Sequence, residues 1–393
     1  MSNYKKSEKE YIKFEIIRKY CINNDLSTFD PYDIWKTNPG IKIKALFNSN
    51  RFLGAFPALC LTLYDLLINN SFRFGYKKQE YPIARALAAQ TLLNEYERSG
   101  NRKLLIAAKS HLKWLEENMS TGYSGACWGL GFKWPAFDDV IYYENTPHTT
   151  HTPYALEAFH RYTQITGDTE YVGLIKSCFL FYEKDVCVLY EDDEKMAVSY
   201  GPFKDKIVIN ASSYTFYVYS IFLNYFPEQK DYITGKILKL YRFVVESQNP
   251  NGSWFYSPDS NSFIDCFHSC FIIKNILKAN MVNHLNNIDT VVTDGYNYII
   301  DNFINKKHGL FKRFTMKNKL SLTKLDLYDN AEVLNLMKMR GDLEKARELE
   351  ASIRKHFFDR KGNIYSVIDI LGLKRNKNTL RWAVMPYLYS ISK

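Results

Sequence analysis

The sequence predicts an all-α fold, an (α/α)6 toroid of helical hairpins joined by long loops, with residues 1–393 forming one domain. Three observations predict it. Apolar residues recur at three- and four-residue spacing in paired segments along most of the chain, the period of a helix that buries one stripe. Equivalent hairpin starts, at Thr152, Ser212, Asp265 and Asp326, fall about 55 to 60 residues apart; that exceeds the usual period of open helical solenoids and leaves room for two helices and an ordered loop. One of the first helices carries Phe216-Tyr217-Val218-Tyr219-Ser220-Ile221-Phe222, apolar nearly all round, as suits a helix enclosed on every side.

Residues 1–50 read as an N-terminal helix and a lead-in segment. The most apolar stretch, 52–67, contains Pro57 and Asp65 and reads as too short and too interrupted to span a bilayer. Five hairpins follow: 81–98 with 103–117, 152–166 with 171–183, 211–225 with 231–247, 263–279 with 289–303, and 325–339 with 343–357. Ser99-Gly100-Asn101, Gly167-Asp168 and Gly341-Asp342 break three of them, the turn chemistry expected between antiparallel helices. The last helix, 380–390, has no partner after it. Pairing it with 56–67 would make a sixth hairpin and close a ring of inner helices surrounded by outer ones. No Pro-rich or Ser-rich linker divides the chain.

Composition narrows the function. The 52 Lys and Arg outnumber the 42 Asp and Glu, for a net charge of +10, which favours anionic partners such as acidic glycans or lipid-linked intermediates. The positive charges read as scattered, which argues against a nucleic-acid interface. Seven cysteines without paired spacing, and no signal-peptide pattern at the start, predict reduced thiols and a cytoplasmic protein. Cys266 and Cys270, one turn apart, lack a second pair for zinc and read as packed apolar residues. The 30 Tyr and 26 Phe allow sugar stacking, although most are read as bulk composition. Neither a Gly-rich nucleotide loop nor a Walker lysine occurs, and there is no Gly-x-Ser-x-Gly. These absences disfavour nucleotide chemistry and serine hydrolysis. No metal or cofactor is expected.

A toroid gathers the starts of its inner helices at one mouth, so a site is sought in the loops entering them. The uncommon residues there are Trp128, Trp134, His148, His151, Asn210, Tyr214, Trp254, Asp265, His268, Asp326 and Arg381. Asp265 and His268, three apart, share a helix face, where the carboxylate can orient the imidazole for acid–base work. Ser262-x-x-Asp265 has capping-box spacing, so Asp265 can equally be a helix cap. Asp326, in Thr323-Lys324-Leu325-Asp326, has the same two readings. His148 and His151 precede Thr152-Pro153, an N-cap followed by Pro at the first helical position. With no third ligand at a suitable spacing, they read as sugar-bonding or packing residues. Arg381, at the start of the last helix, opposes the helix dipole; it binds an anion or reaches solvent.

Phe29-Asp30-Pro31-Tyr32-Asp33, Cys127-Trp128-Gly129, Phe132-Lys133-Trp134, Asn145-Thr146-Pro147, Ile209-Asn210-Ala211-Ser212, Gly252-Ser253-Trp254-Phe255-Tyr256, Ile264-Asp265 with Phe267-His268, Asp326, and Arg381-Trp382 together resemble a family of toroid proteins associated with bacterial polysaccharide biosynthesis. Tyr328 departs from an expected His and Lys133 from an expected acidic residue. The resemblance implies a toroid and a link to capsule, exopolysaccharide or O-antigen production, in contact with membrane-bound glycan assembly machinery.

Two functions follow as expectations. The first is an enzyme acting on an acidic polysaccharide or lipid-linked oligosaccharide. As a lyase or epimerase it would use His268 or Tyr214 as base and Arg381 to steady an enolate. As a hydrolase it would use Asp265 and Asp326 as the carboxylate pair. The second is a non-catalytic glycan-binding or scaffold protein, with Trp128, Trp134 and Trp254 as a stacking platform. A carboxylate, an imidazole and a guanidinium gathered in one cleft would favour the enzyme; a shallow aromatic groove would favour binding.

Overall fold

Left-handed glycines end the first helices of three pairs, at Gly100, Gly167 and Gly341 (φ 66°, 71° and 75°), where only a residue without Cβ turns the chain at no steric cost. The computed structural model describes residues 13–137, 140–258, 262–283, 285–315 and 322–393. Helices α1 (13–21), α2 (Asn38–Ser49) and α3 (Arg51–Phe72) come first. Five hairpins follow: α4 (Pro82–Ser99) with α5 (Arg102–Glu117), α6 (Thr152–Thr166) with α7 (Val172–Lys184), α8 (Ile209–Phe222) with α9 (Lys230–Glu246), α10 (Cys266–Asn283) with α11 (Ile288–Asn302), and α12 (Leu327–Met339) with α13 (Leu343–Phe357). A π-helical turn, Leu380–Val384, leads into α14 (Met385–Ser392).

The fold is an all-α toroid. Helices α4, α6, α8, α10, α12 and α14 each pack on the next, and α14 returns to α4. Every residue of α8 is buried, as is α12 from Leu327 to Met337. The outer helices bury one stripe; on α5 it is Leu104, Ala108, His111, Leu112 and Leu115, the i, i+4, i+7 pattern of an amphipathic helix. One core cluster runs from Ile17 to Ile391.

The expected pairing of 56–67 with the last helix does not form. Helix α1 covers α14 instead. Its Ile17, Tyr20 and Cys21 are buried, Cys21 Sγ meets Met385 Sδ at 3.9 Å, and Tyr20 donates to Asn378 Oδ1 at 3.0 Å. The apolar residues of 56–67 are not interior residues: Phe56, Leu59 and Leu67 are exposed. That segment belongs to α3, which packs on α2 through Gly54, whose α-hydrogen faces the Phe47 backbone so closely that a Cβ would clash. Neither Pro57 nor Asp65 breaks α3. At 22 residues and mean hydropathy 1.6 it is long and apolar enough by composition to cross a membrane, longer than the interrupted stretch expected.

Short strands are more numerous than anticipated. Among the described residues they are β1 (Trp134–Phe137) with β2 (Val140–Tyr142), β3 (Val188–Glu191) with β4 (Met196–Val198), β5 (Ile304–Asn305) with β6 (Leu310–Phe311), and the antiparallel sheet of β7 (Thr323–Asp326), β8 (Tyr365–Asp369) and β9 (Lys374–Lys377). They lie in the loops between hairpins, where pairing satisfies backbone groups that long loops would otherwise leave open.

His111 on α5 fastens the ring's closing helix. An arginine can only donate, so Arg85 Nη1 donates to His111 Nδ1 at 2.9 Å; Nε2–H then donates to the Cys21 carbonyl of α1 at 2.7 Å. The imidazole is locked neutral, and burial drives its pKa down to about 4. Between about pH 6.5 and 4 the unfolded chain therefore takes up a proton that the folded chain refuses, so stability falls as pH falls. Urea unfolding at pH 7 and near pH 4.5 is expected to show this loss, of order 3 kcal/mol by the time it is complete. In His111→Phe, stability at pH 7 drops by about 1–3 kcal/mol, because Arg85 and the Cys21 carbonyl lose their partner, and the pH slope flattens.

Candidate functional site

The loops entering the inner helices converge on a narrow cleft of about 60 Å3, room for about two waters. On one wall stand Asp265 and His268. Asp265 precedes α10 and caps it: Oδ1 accepts from the His268 backbone N–H at 3.1 Å. Its other oxygen, Oδ2, lies 2.7 Å from His268 Nδ1. A carboxylate only accepts, so Nδ1 carries the proton and the Nε2 lone pair is left to the cleft that His268 lines. Both readings of Asp265 hold at once: it is a cap and it orients the imidazole.

Arg381 lines the same cleft from the π-helical turn before α14. Its Nε donates to Asp30 Oδ2 at 2.5 Å. Burial alone would raise the Asp30 carboxyl, but Arg381 and then Lys36 hold it down to about 2. Burial works against the Arg381 charge, and Asp30 more than offsets it. The guanidinium sits over the Tyr81, Phe132 and Trp382 rings, so its plane is fixed by packing as well as by charge.

His151 also lines the cleft. Burial, then the neighbouring His148 and Arg381, push its pKa well below the ordinary histidine range, which keeps it neutral. Tyr154, Tyr214 and Tyr328 face the same space. The Tyr154 and Tyr214 hydroxyls are 2.8 Å apart, and burial pushes all three phenols well above their usual pKa. Tyr214, named in the sequence as a candidate base, is therefore held in its protonated form at neutral pH. Asn210, on the first turn of α8, is 2% exposed, and neither its Oδ1 nor its Nδ2 has a partner. An unpaired buried amide costs about 1–3 kcal/mol, and this one borders the cleft.

Several expected site residues lie elsewhere. Trp128 is wholly buried, donates to the Leu115 carbonyl and stacks on Phe159. Trp254 donates to the Val244 carbonyl and fills the space that Gly295 leaves open. Both are core residues, so the aromatic platform does not form. Trp134 sits on β1 with Lys44 near its ring and is not among the cleft-lining residues. His148 stacks on Tyr142 behind His151, and burial lowers its pKa to about 3. Asp326 is the cap of α12. Its Oδ1 accepts from the Tyr328 N–H, and its Oδ2 from Arg313 at 2.7 Å and Trp382 Nε1 at 3.1 Å. It stands behind the cleft as an anchor for Trp382. Neither Asp265 nor Asp326 keeps an unengaged oxygen for the carboxylate pair of a hydrolase.

Asp30, Tyr154, Tyr200 and Trp382 were not named as site residues from the sequence. Asp30 lay inside the matched Phe29–Asp33 motif, and Trp382 stood beside Arg381. Tyr328 was marked only as a departure from an expected His, and Tyr154 and Tyr200 carried no signal among 30 of their kind. A larger cavity, about 750 Å3, opens beneath α2 and α3 and is lined by Lys36, Tyr76 and Lys133 among others. It does not contain the oriented imidazole. Among the described residues no group of three or more His, Cys, Asp or Glu is arranged to hold a metal ion.

The fold is shared with sugar epimerases. The chain superposes on a sugar epimerase from a ruminal bacterium with TM-score 0.59 and 18% identity, covering 80% of this chain and 86% of that one. For cellobiose 2-epimerase from Bacillus thermoamylovorans the values are 0.61, 13%, 80% and 87%. For a polysaccharide lyase they are 0.55, 8%, 91% and 97%. A D-mannose isomerase and α-1,6-mannanases have the same architecture. The shared toroid thus serves carbohydrate enzymes of several chemistries. No protein-family model and no curated protein sequence matches the chain.

Stability separates the core tryptophans from the cleft residues. Trp254→Ala is expected to cost about 3–5 kcal/mol in chemical denaturation. Asn210→Ala removes an amide that makes no protein hydrogen bond, so the melting temperature stays the same or rises. A marked loss on Asn210→Ala would mean that the amide is held by the fold.

Proposed function

We propose that the protein is a carbohydrate-active enzyme that moves a proton at a carbon next to a carbonyl or carboxylate, the step common to sugar epimerases, isomerases and polysaccharide lyases. The observation that carries this reading is the pairing, in one cleft, of an oriented imidazole with a fixed guanidinium. His268 takes the proton on Nε2, and Asp265 steadies the imidazolium that forms. Arg381 stabilises the negative oxygen of the enolate, with the unpaired Asn210 amide as a second donor. A phenol of the Tyr154–Tyr214 pair, or the neutral His151, stands across the cleft as partner for proton return. The engaged oxygens of Asp265 and Asp326 disfavour hydrolysis by two carboxylates.

The net charge of +10 favours an acidic glycan or a lipid-linked oligosaccharide as substrate, and the resemblance to polysaccharide-biosynthesis proteins favours a role in capsule, exopolysaccharide or O-antigen production in the cytoplasm. The cleft volume of about 60 Å3 admits only a small reacting group, and a full ring requires lining side chains to move. The alternative of a non-catalytic glycan-binding protein loses its support with the burial of Trp128 and Trp254.

The test is solvent-deuterium exchange, followed by NMR, on a panel of neutral sugars, uronic acids and acidic oligosaccharides, with ultraviolet absorbance reporting any unsaturated product. Exchange without a new double bond identifies an epimerase or isomerase; an unsaturated product identifies a lyase. His268→Gln is expected to lower exchange by about 10²–10⁴-fold while the melting temperature changes little. Exchange retained in His268→Gln would remove the imidazole from the mechanism.

A further inference from the structure

The net positive charge is not spread evenly over the chain. Residues 34–79 hold seven Lys and Arg and a single acidic residue, Asp65, so six of the ten net charges lie in 46 residues. Asp65 accepts from the Tyr76 hydroxyl at 2.5 Å and burial pushes its pKa up, which further weakens the one negative charge. The same segment forms the α2–α3 hairpin and carries the densest run of exposed large apolar residues in the described structure. Phe52 is 91%, Phe56 75% and Phe72 65% exposed. With Leu59, Leu63 and Leu67 they follow three- and four-residue steps along α3 as far as Leu67, then a five-residue step to Phe72 across the π-helical stretch Asp65–Asn69, an outward stripe on a helix about 33 Å long. An apolar face of this extent is rare on a protein that meets only water.

Both ends of α3 are held against the same body. At the far end of α2, beside Arg51, Asn48 donates to the Pro135 carbonyl of β1 at 3.3 Å. At the end of α3, Asn70 and Arg73 both donate to Asn376 Oδ1 of β9, at 2.7 and 3.0 Å. A helix crossing a bilayer would carry Arg51 and Arg73 to opposite sides of it. Here both stay beside the toroid, so α3 presents its flank. The hairpin joining β8 and β9 adds exposed Ile370, Leu371 and Leu373 at its tip, next to Lys374.

We propose that the outward flank of the α2–α3 hairpin rests on an anionic lipid bilayer, with Phe52, Phe56 and Phe72 inserted at the interface and Lys42, Arg51 and Lys77 beside the lipid phosphates. An amphipathic helix lying in the interface buries its apolar face at the boundary of headgroups and acyl chains, and basic residues strengthen binding only where the lipids are anionic. A protein partner or a second copy would bury the phenylalanines equally well. Lys36 turns inward onto Asp30 and Asp33, which leaves six basic residues and one acidic residue on this segment; that excess favours the lipid, because a second copy would bring like charges together.

The test is sedimentation of the full chain with vesicles of phosphatidylcholine alone and of phosphatidylcholine mixed with phosphatidylglycerol, alongside sedimentation velocity without lipid. Binding to the mixed vesicles, weakened by salt and at least about ten-fold weaker to the neutral ones, is the expected result. Phe52→Ser with Phe56→Ser is expected to weaken binding by at least about ten-fold with an unchanged melting temperature, since both side chains face solvent. Lys42→Gln, Arg51→Gln and Lys77→Gln are expected to cost about five-fold each on the mixed vesicles. The proposal is overturned if neither vesicle binds, if neutral and anionic vesicles bind equally, or if the chain is a dimer that the two serine substitutions dissociate and that binds no vesicle.

Discussion

A ring of inner helices has to close. The last inner helix of the described ring, α14, is covered by α1 from the other end of the described chain, so closure depends on a contact between distant segments. Helix α1 supplies the outer layer, and Asp30, a few residues beyond it, reaches the Arg381 guanidinium across 351 positions of sequence. Both partners are buried. Removing either leaves an uncompensated charge in the interior, which is far costlier than never having buried the pair. The closing contact thereby also fixes the cation at the cleft. Closure and site assembly are one event: an unclosed ring would hold His268 in place on α10 but leave Arg381 without its anchor.

The cleft draws on the unsatisfied ends of helices. Each inner helix begins with backbone N–H groups that need acceptors, which forces polar residues into an otherwise apolar interior. Asp265 and Asp326 both answer that need, and they diverge in what their second oxygen does. Asp265 gives it to an imidazole in the cleft; Asp326 gives it to Arg313 and Trp382 behind the cleft. Around them the aromatics divide by chemistry. Trp128 and Trp254 find backbone carbonyls and become core. The tyrosines bring hydroxyls to the cleft, where burial keeps them protonated. Asn210 differs from these: both polar atoms of its buried amide lack a protein partner, and such a group calls for a physical explanation.

The α2–α3 hairpin stands outside this arrangement. It packs on the body without entering the ring, which frees its outer residues from the demands of the core. Its apolar stripe and its share of the net charge are surface properties.

The sequence by itself determined the helices, their pairing into five hairpins and the alternation of enclosed and half-exposed members, because these follow from local periodicity and from turn glycines such as Gly100 and Gly167. It also picked out His268 beside Asp265, since residues three apart on a helix are neighbours whatever surrounds them. The reading failed where position depends on distant segments. The sixth hairpin joins 13–21 to the chain's far end, and no local pattern marks that partner. Apolar content paired 56–67 with the last helix, and a place in the loops entering inner helices sent Trp128 and Trp254 to the site, yet the same side chain suits a core, a stacking face or a lipid surface. Which of these it occupies is decided by closure of the ring: a residue's depth is set by what packs over it, and those covering residues are hundreds of positions away.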